Sequence, residues 1–298
     1  MREMRGKPLA SAVREWCGQR LSVLEPKRKM SLAILQVGDD PASTAYRLQK
    51  TKAVEALGGE VCTVHLGPSS SRESAWEVLR RWGDDGGVDG IFLEHPLPRG
   101  WEEELRLLIP LRKDVEGMHP LHLGQMYLGS PRVPVPCTAE AAVLLPEWHG
   151  FGDFSGKEAV VLGRSASVGR AVALLLQHRH ATVTVLHSRS AHTEEHLASA
   201  EVVVAAVGQP GVVRGAALRS DAVVIDVGTH VREDGTLVGD VLWEDDEPRR
   251  AFTPVPGGVG PVTVALLLKN LVVAYAENMG SPCVVPTLED LRRYATPS

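Results

Sequence analysis

Apolar positions in this chain recur with two periods, and the way the periods alternate predicts its architecture. A 3.6-residue rhythm over residues 9–24 puts Leu9, Val13, Trp16, Cys17 and Leu21 on one face of a helix. The continuous apolar run Ser31–Val37 then reads as a buried strand, closed by Gly38-Asp39-Asp40-Pro41. Pro41 and Ala42 open a second helix that reaches Leu57 and stops at Gly58-Gly59, with proline near its start and glycine past its end. Residues 60–65 and 88–93 read as further strands with a helix, 73–82, between them. Strand and helix in alternation call for a parallel α/β sheet.

A different rhythm sets in at residue 96. Residues 96–120 are rich in proline, glycine and charge, an irregular connection interrupted by a short helical segment at 101–108. A helix at 139–148 leads to the most distinctive stretch, Val160-Val161-Leu162-Gly163-Arg164-Ser165-Ala166-Ser167-Val168-Gly169-Arg170. It reads as a strand, a tight glycine turn and a helix with an apolar face. A helix N-terminus just after a strand offers N–H groups and a positive dipole end, which suits a phosphate. The next apolar run, residues 183–186, ends in His187-Ser188-Arg189, where an NAD site would usually carry an acidic residue. Arg189 there, with Arg164 in the turn, suits a ribose 2′-phosphate; two solvated arginines on an ordinary turn are the alternative. Strands at 201–207, 222–227 and 241–243 complete this second domain, and a glycine- and proline-rich loop at 253–261 precedes a helix over 262–277.

Composition narrows the class. A chain of 298 residues, 44% hydrophobic and 23% charged, is that of a soluble globular protein with one large or two ordinary domains. A net charge of −5 disfavours a nucleic-acid binder. Cys17, Cys62, Cys137 and Cys283 are scattered and form no C-x-x-C pair, so neither a disulfide framework nor a zinc site is expected. His178, His180 and His187 have no acidic or thiol ligands clustered with them, so no metal is expected. The first residues lack an apolar signal core. The apolar segment 262–276 is interrupted by Lys269 and Asn270 and reads as too short to cross a bilayer. The expectation is a cytoplasmic protein.

Chemistry is suggested at four places. Tyr46 and Lys50 lie four apart on the second helix, an acid–base pair or, with Arg47 and Lys52, a solvated face. Glu94 ends the strand Ile91-Phe92-Leu93, and ligands in open α/β sheets bind beyond the carboxyl ends of strands. Asp114 and Glu116 sit in the long connection, where solvated charges are the default. The loop Pro254-Val255-Pro256-Gly257-Gly258-Val259-Gly260-Pro261 combines stiffness with room for close backbone approach, which favours a ligand-binding role.

Together these pieces resemble the bifunctional methylenetetrahydrofolate dehydrogenase/cyclohydrolase family. The resemblance runs from Gly6-Lys7 through Val37-Gly38-Asp39-Asp40-Pro41-Ala42-Ser43 with Tyr46 and Lys50, Pro96-Leu97-Pro98, and Lys113-Asp114-Val115-x-Gly117. It continues with Pro136-Cys137-Thr138, Gly163-Arg164-Ser165, His187-Ser188-Arg189, Asp226-Val227-Gly228, Gly239-Asp240-Val241 and the loop Pro254 to Pro261. It implies an α/β protein of two domains with a cleft between them. The N-terminal folate/catalytic domain would be 1–137, completed by 266–298, and the Rossmann-type NADP-binding domain 138–265. It implies oxidation of methylenetetrahydrofolate by NADP⁺, then hydrolysis of the methenyl product to 10-formyltetrahydrofolate, in a homodimer. Lys50 would be the principal residue of the hydrolytic step, with Tyr46 packed against the folate and Glu94 beside Lys50. Leu93, His95, Glu116, Pro256, Gly257, Gly258, Val259 and Gly260 would complete the folate site; Gly163, Arg164, Ser165, Ser188, Arg189 and Thr229 would hold NADP.

The chain also departs from that family. Glu94 stands where the family has glutamine, Glu116 where it has aspartate, His95 where leucine is usual, and Ala139 and Ala171 where prolines are. A carboxylate at 94 would pair with Lys50, favour the ammonium form and itself become more acidic. Two consequences are open: suppression of the hydrolytic step, or takeover of the base role by Glu94 with Lys50 stabilising negative charge. The corresponding alternatives to a bifunctional enzyme are a dehydrogenase with weak cyclohydrolase activity, and a silent relative that binds NADP or folate.

Overall fold

In the computed structural model, which describes every residue except 1, 25–27, 131–132, 233, 245–250 and 296–298, each position of Ser31–Val37 is buried. A strand covered on both faces requires that. The first elements along the chain are β1 (Arg2–Glu3), α1 (Lys7–Ser22), β2 (Ser31–Val37), α2 (Pro41–Glu55), β3 (Glu60–Leu66) and α3 (Arg72–Asp84). There follow β4 (Gly90–Leu93), α4 (Glu102–Leu108), α5 (Pro120–Tyr127) and α6 (Cys137–Trp148). The middle of the chain carries β5 (Glu158–Leu162), α7 (Gly169–Gln177), β6 (Thr182–Leu186), α8 (Thr193–Ser199) and β7 (Val202–Ala205). The short strands β8 (Val213–Arg214), β9 (Val223–Asp226), β10 (His230–Val231), β11 (Leu237–Val238), β12 (Val241–Leu242) and β13 (Ala251–Phe252) precede α9 (Val259–Asn278) and α10 (Leu288–Arg292).

The chain divides into two compact units. One comprises Ala12–Val135 and Val264–Tyr294. Its sheet is parallel, in the order β3-β2-β4, with Ser31 to Val37 registered against Glu60 to Leu66 and Leu32 to Leu35 against Gly90 to Leu93. Ala33, Leu35, Val37 and Leu93 of the sheet pack with Ala75, Leu79 and Trp82 of α3 and Leu105 of α4. Asp40 caps α2 by accepting from Ser43 N at 2.7 Å, so the helix starts where proline is tolerated.

The connection after β4 is more ordered than its composition predicts. Lys113 is fully buried and donates to the carbonyls of Trp82, Gly83 and Asp85 at 2.7, 2.9 and 2.7 Å, closing the end of α3. Asp114 is not a solvated charge. Its carboxylate accepts from Gly117 N, Met118 N and His119 N and lies 2.7 Å from His122 Nδ1. Those bonds outweigh the cost of burial and hold its pKa below the ordinary carboxylate range. The loop that carries Glu116 is thereby fixed at both ends.

The second unit comprises Met1–Ser11, Pro136–Thr263 and Ala295–Ser298. Its parallel sheet has the order β1-β13-β9-β7-β5-β6. From β5 the chain moves outward to β6 and then returns to the other side of β5 as β7. That reversal creates the switch point where α/β sheets bind ligands.

One expectation, the extent of the last helix, needs correction, and two others gain detail. The first residues pair within the second unit: β1 pairs with β13, Gly6 N donates to Gly257 O at 2.8 Å, and a side chain at Gly6 would collide with Gly258 O. The strand expected at 241–243 forms as β12, apart from the six-stranded sheet. Asp226 binds the Asp240 and Val241 amides at 3.0 and 2.9 Å, and β12 pairs with β8 instead. The last long helix is 20 residues, starts at Val259 and runs through Lys269 and Asn270 without a break. Asn270 is satisfied by the Val115 carbonyl at 2.9 Å. By length and composition α9 passes as a membrane span, yet 72% of its most apolar window is buried within the chain, the signature of a core helix.

Candidate active site

Phe92 and Glu94 are two apart at the end of β4, so their side chains leave the sheet on the same face. Lys50, on α2, meets both. Its Nζ lies 2.6 Å from Glu94 Oε1 and 4.3 Å from the centre of the Phe92 ring. Tyr46, one turn earlier, puts its ring 5.7 Å from the same nitrogen. The side chains of Lys50 and Glu94 are 9% and 4% exposed, so the ion pair is almost wholly withdrawn from water. Lys50 is therefore not part of a solvated face.

The carboxylate half of the expected shift is reversed. Burial pushes Glu94 above its ordinary 4.5, the attraction of Lys50 opposes this without overcoming it, and Glu116 adds a further push upward. The sequence predicts the charge partner but not the depth of burial or the second acid. A carboxylate with a raised pKa is a stronger base than an ordinary one, which is what proton removal from water needs.

Glu116 is half-buried and receives Arg106 Nη1 at 3.1 Å. His95 is exposed, with Nε2 lying 3.2 Å from Glu102 Oε1. Partial burial disfavours its imidazolium, but Glu102 and Glu116 outweigh this and raise its pKa. Arg106 and Glu102 escaped sequence reasoning, although their i,i+4 spacing on a helix was a readable signal. Leu93 does not face the site with its side chain, which is buried in the core among Leu35 and Leu79.

In the other unit, the turn after β5 has closed around its glycines. A Cβ at Gly163 would fall 2.0 Å from Ala206 O, and one at Gly169 would fall 2.1 Å from Gly163 O. Gly163 also has φ of +112°, so only glycine makes this turn without strain. Arg164 and Ser165 are exposed just before α7, whose N-terminus has no side-chain cap. Leu162 and Leu186 are register partners, which brings the loops after β5 and β6 side by side. The second loop is held by Ser190 Oγ accepting from His187 N and by His187 Nδ1 accepting from Arg189 N, leaving Ser188 and Arg189 exposed. Among the described residues neither Arg164 nor Arg189 is tied up in an ion pair. Thr229 is exposed beyond the end of β9. A glycine cradle, an uncapped helix start and two available arginines fit a phosphorylated dinucleotide.

The loop of residues 254–261 belongs to this same unit. Pro256 and Gly260 are exposed, whereas Gly258 and Val259 are buried, Val259 opening α9. A side chain at Gly258 would collide with Pro254 O, so the loop folds tightly on itself.

Residues 4–116 match the tetrahydrofolate dehydrogenase/cyclohydrolase catalytic domain, and residues 136–279 match the NAD(P)-binding domain of the same family. The chain is 42% identical over 282 residues to the bifunctional protein FolD of Parasynechococcus marenigrum, covering 92% of this chain and 94% of that one. It is 40% identical over 272 residues to the FolD protein of Staphylococcus haemolyticus, covering 90% and 95%. The crystal structure of the Campylobacter jejuni FolD dehydrogenase/cyclohydrolase superposes with a TM-score of 0.86 at 32% identity, over 93% of this chain and 99% of the other. The Trypanosoma brucei enzyme, solved with NADP and an inhibitor, superposes with a TM-score of 0.85 at 34% identity, over 92% and 96%.

Proposed function

The chain belongs to the tetrahydrofolate dehydrogenase/cyclohydrolase family, and from that premise we infer that it oxidises 5,10-methylenetetrahydrofolate with NADP⁺ and hydrolyses the methenyl product to 10-formyltetrahydrofolate. The observation that carries the reading is the buried Lys50–Glu94 pair at the carboxyl end of a parallel sheet. An intact pair, with a closed nucleotide cradle, supports an active enzyme over a silent relative or one that has lost its hydrolytic half. A homodimer rests on the family resemblance.

NADP⁺, when bound, supplies the acceptor for a hydride; the protein's part in that step is orientation. Gly163 and Ser165 would cradle its pyrophosphate, and Arg164, Ser188 and Arg189 would hold its 2′-phosphate, with Thr229 exposed beyond the end of β9 in the same unit. For the folate, Tyr46 offers a ring to pack against the pterin and Glu116 a carboxylate for its N–H groups.

The hydrolytic step is proton management. Water adds to the methenyl carbon while a base takes one of its protons. The remaining hydroxyl proton is then lost as the carbonyl forms, the departing nitrogen takes up a proton as its bond to that carbon breaks, and the formyl group stays on the other nitrogen with one proton released overall. Glu94, whose pKa burial pushes up, is placed to take the proton in its ionised form. Lys50, hydrogen-bonded to it, supplies the positive charge that stabilises the oxyanion.

Arg164 and Arg189 predict preference for NADP⁺ over NAD⁺. Each charge-assisted contact to the 2′-phosphate contributes roughly 1.5–3 kcal/mol. Arg189→Ala therefore lowers kcat/KM for NADP⁺ about tenfold or more and leaves the value for NAD⁺ nearly unchanged. A parent that prefers NAD⁺, or a preference that does not respond to Arg189→Ala, contradicts the assignment.

A further inference from the structure

Helix α4 places a charge where its packing calls for an apolar side chain. Leu105 beside it is fully buried, and Arg106 itself is only 4% exposed. A guanidinium in that position persists only when its donors are matched. The matching is dense. Nε and Nη2 of Arg106 donate to Glu102 Oε1 at 3.1 and 3.0 Å, and Nη1 donates to Glu116 Oε2 at 3.1 Å. Nη2 also lies 3.3 Å from His95 Nε2, which is itself 3.2 Å from Glu102 Oε1.

The two acids in this network differ in exposure. Glu102 is half open to solvent and its pKa is held down at about 2 by the bond to His95 and the charge of Arg106. It is a fixed anion that anchors the guanidinium. Glu116 is 14% exposed in its side chain, and the guanidinium that it binds at 3.1 Å also lies 3.3 Å from His95, the residue after Glu94. Glu116 is thus tied through Arg106 to the strand end that carries the Lys50–Glu94 pair.

A glutamate has one more rotatable bond than an aspartate, so its carboxylate needs restraint before it can present a defined edge. The planar fork of Arg106, clamped from behind by Glu102, supplies that restraint through Oε2. We propose that Arg106 is a positioning residue for the folate substrate: it holds Glu116 so that the other carboxylate oxygen, Oε1, accepts from the N–H donor edge of the substrate's aminopyrimidine ring. The proposal rests on the folate reading above. It assigns a role to α4, which that reading leaves without one.

The test is a double-mutant cycle in the full-length enzyme with methylenetetrahydrofolate as the varied substrate. Arg106→Met raises KM for the folate about ten- to a hundredfold, with kcat changed much less and the Kd for NADP⁺ unchanged. Glu116→Gln has an effect of similar size, and the double variant is barely worse than either, because each change disables the same contact. Arg106→Lys, which keeps the charge but cannot span Glu102 and Glu116 together, falls between. Should Arg106→Met fail to fold, the Lys variant and its cycle with Glu116→Gln decide the matter on the same KM readout. A melting temperature that drops while the folate KM stays at the parent value would make Arg106 a packing clamp and overturn the proposal, as would independent, multiplying effects of the two changes. A parent enzyme that binds NADP⁺ but never turns over the folate would instead overturn the functional reading on which the proposal depends.

Discussion

Lys50→Met abolishes hydrolysis of methenyltetrahydrofolate, with a fall of about a thousandfold or more, while affinity for NADP⁺ stays at the parent value. The size of the effect follows from the pair. Lys50 is the cation at 2.6 Å from a carboxylate that is 4% exposed. A buried carboxylate without a partner takes up a proton rather than remain charged. The substitution thus removes the stabilising charge and neutralises the base in one step. The nucleotide loops lie in the other unit of the chain, so cofactor binding serves as an internal control for folding. Decay of the methenyl absorbance measures the first quantity and a cofactor titration the second. Hydrolysis at the parent rate would show that Lys50 is not the catalytic group.

Glu94→Gln lowers the same rate about a hundred- to ten-thousandfold, the usual worth of a positioned general base, and changes the oxidation step less. This is the sharper test, because the sequence alone allows the opposite result. If the acid merely locked Lys50 as an ammonium, glutamine would release it and hydrolysis would rise. The raised pKa of Glu94 favours the base role and also sets the pH profile. A base must be ionised to act, so hydrolysis in the parent falls as pH drops through a midpoint above the ordinary 4.5. That limb vanishes in Glu94→Gln. A faster variant returns Glu94 to the role of suppressor, and an unchanged rate makes it an ordinary strand-end carboxylate.

The strongly periodic parts of the chain were readable in advance. Ser31–Val37 forms the predicted strand to the residue, and the glycine turn at 163 sits between strand and helix as its pattern requires. What was hidden lacks local signal. β1 and β13 are two residues each, too short for any period, and exist only because they pair with one another and with β9. α9 begins at Val259 inside what reads as a loop, because Pro261 is tolerated in a helix's first turn. In the site, the partnership of Lys50 and Glu94 could be anticipated, but the direction of the Glu94 shift could not. That direction depends on how deeply the fold buries the pair and on Glu116, brought up from 22 residues further along the chain by Lys113 and Asp114.

The central claim is that one chain carries out both steps with glutamate at position 94. It is tested most directly by a single absorbance trace of the purified parent protein supplied with methylenetetrahydrofolate and NADP⁺. Methenyltetrahydrofolate should first accumulate, and then decay faster than in buffer alone once the NADP⁺ is spent. No accumulation with NADP⁺, or accumulation followed by decay at only the buffer rate, would contradict it.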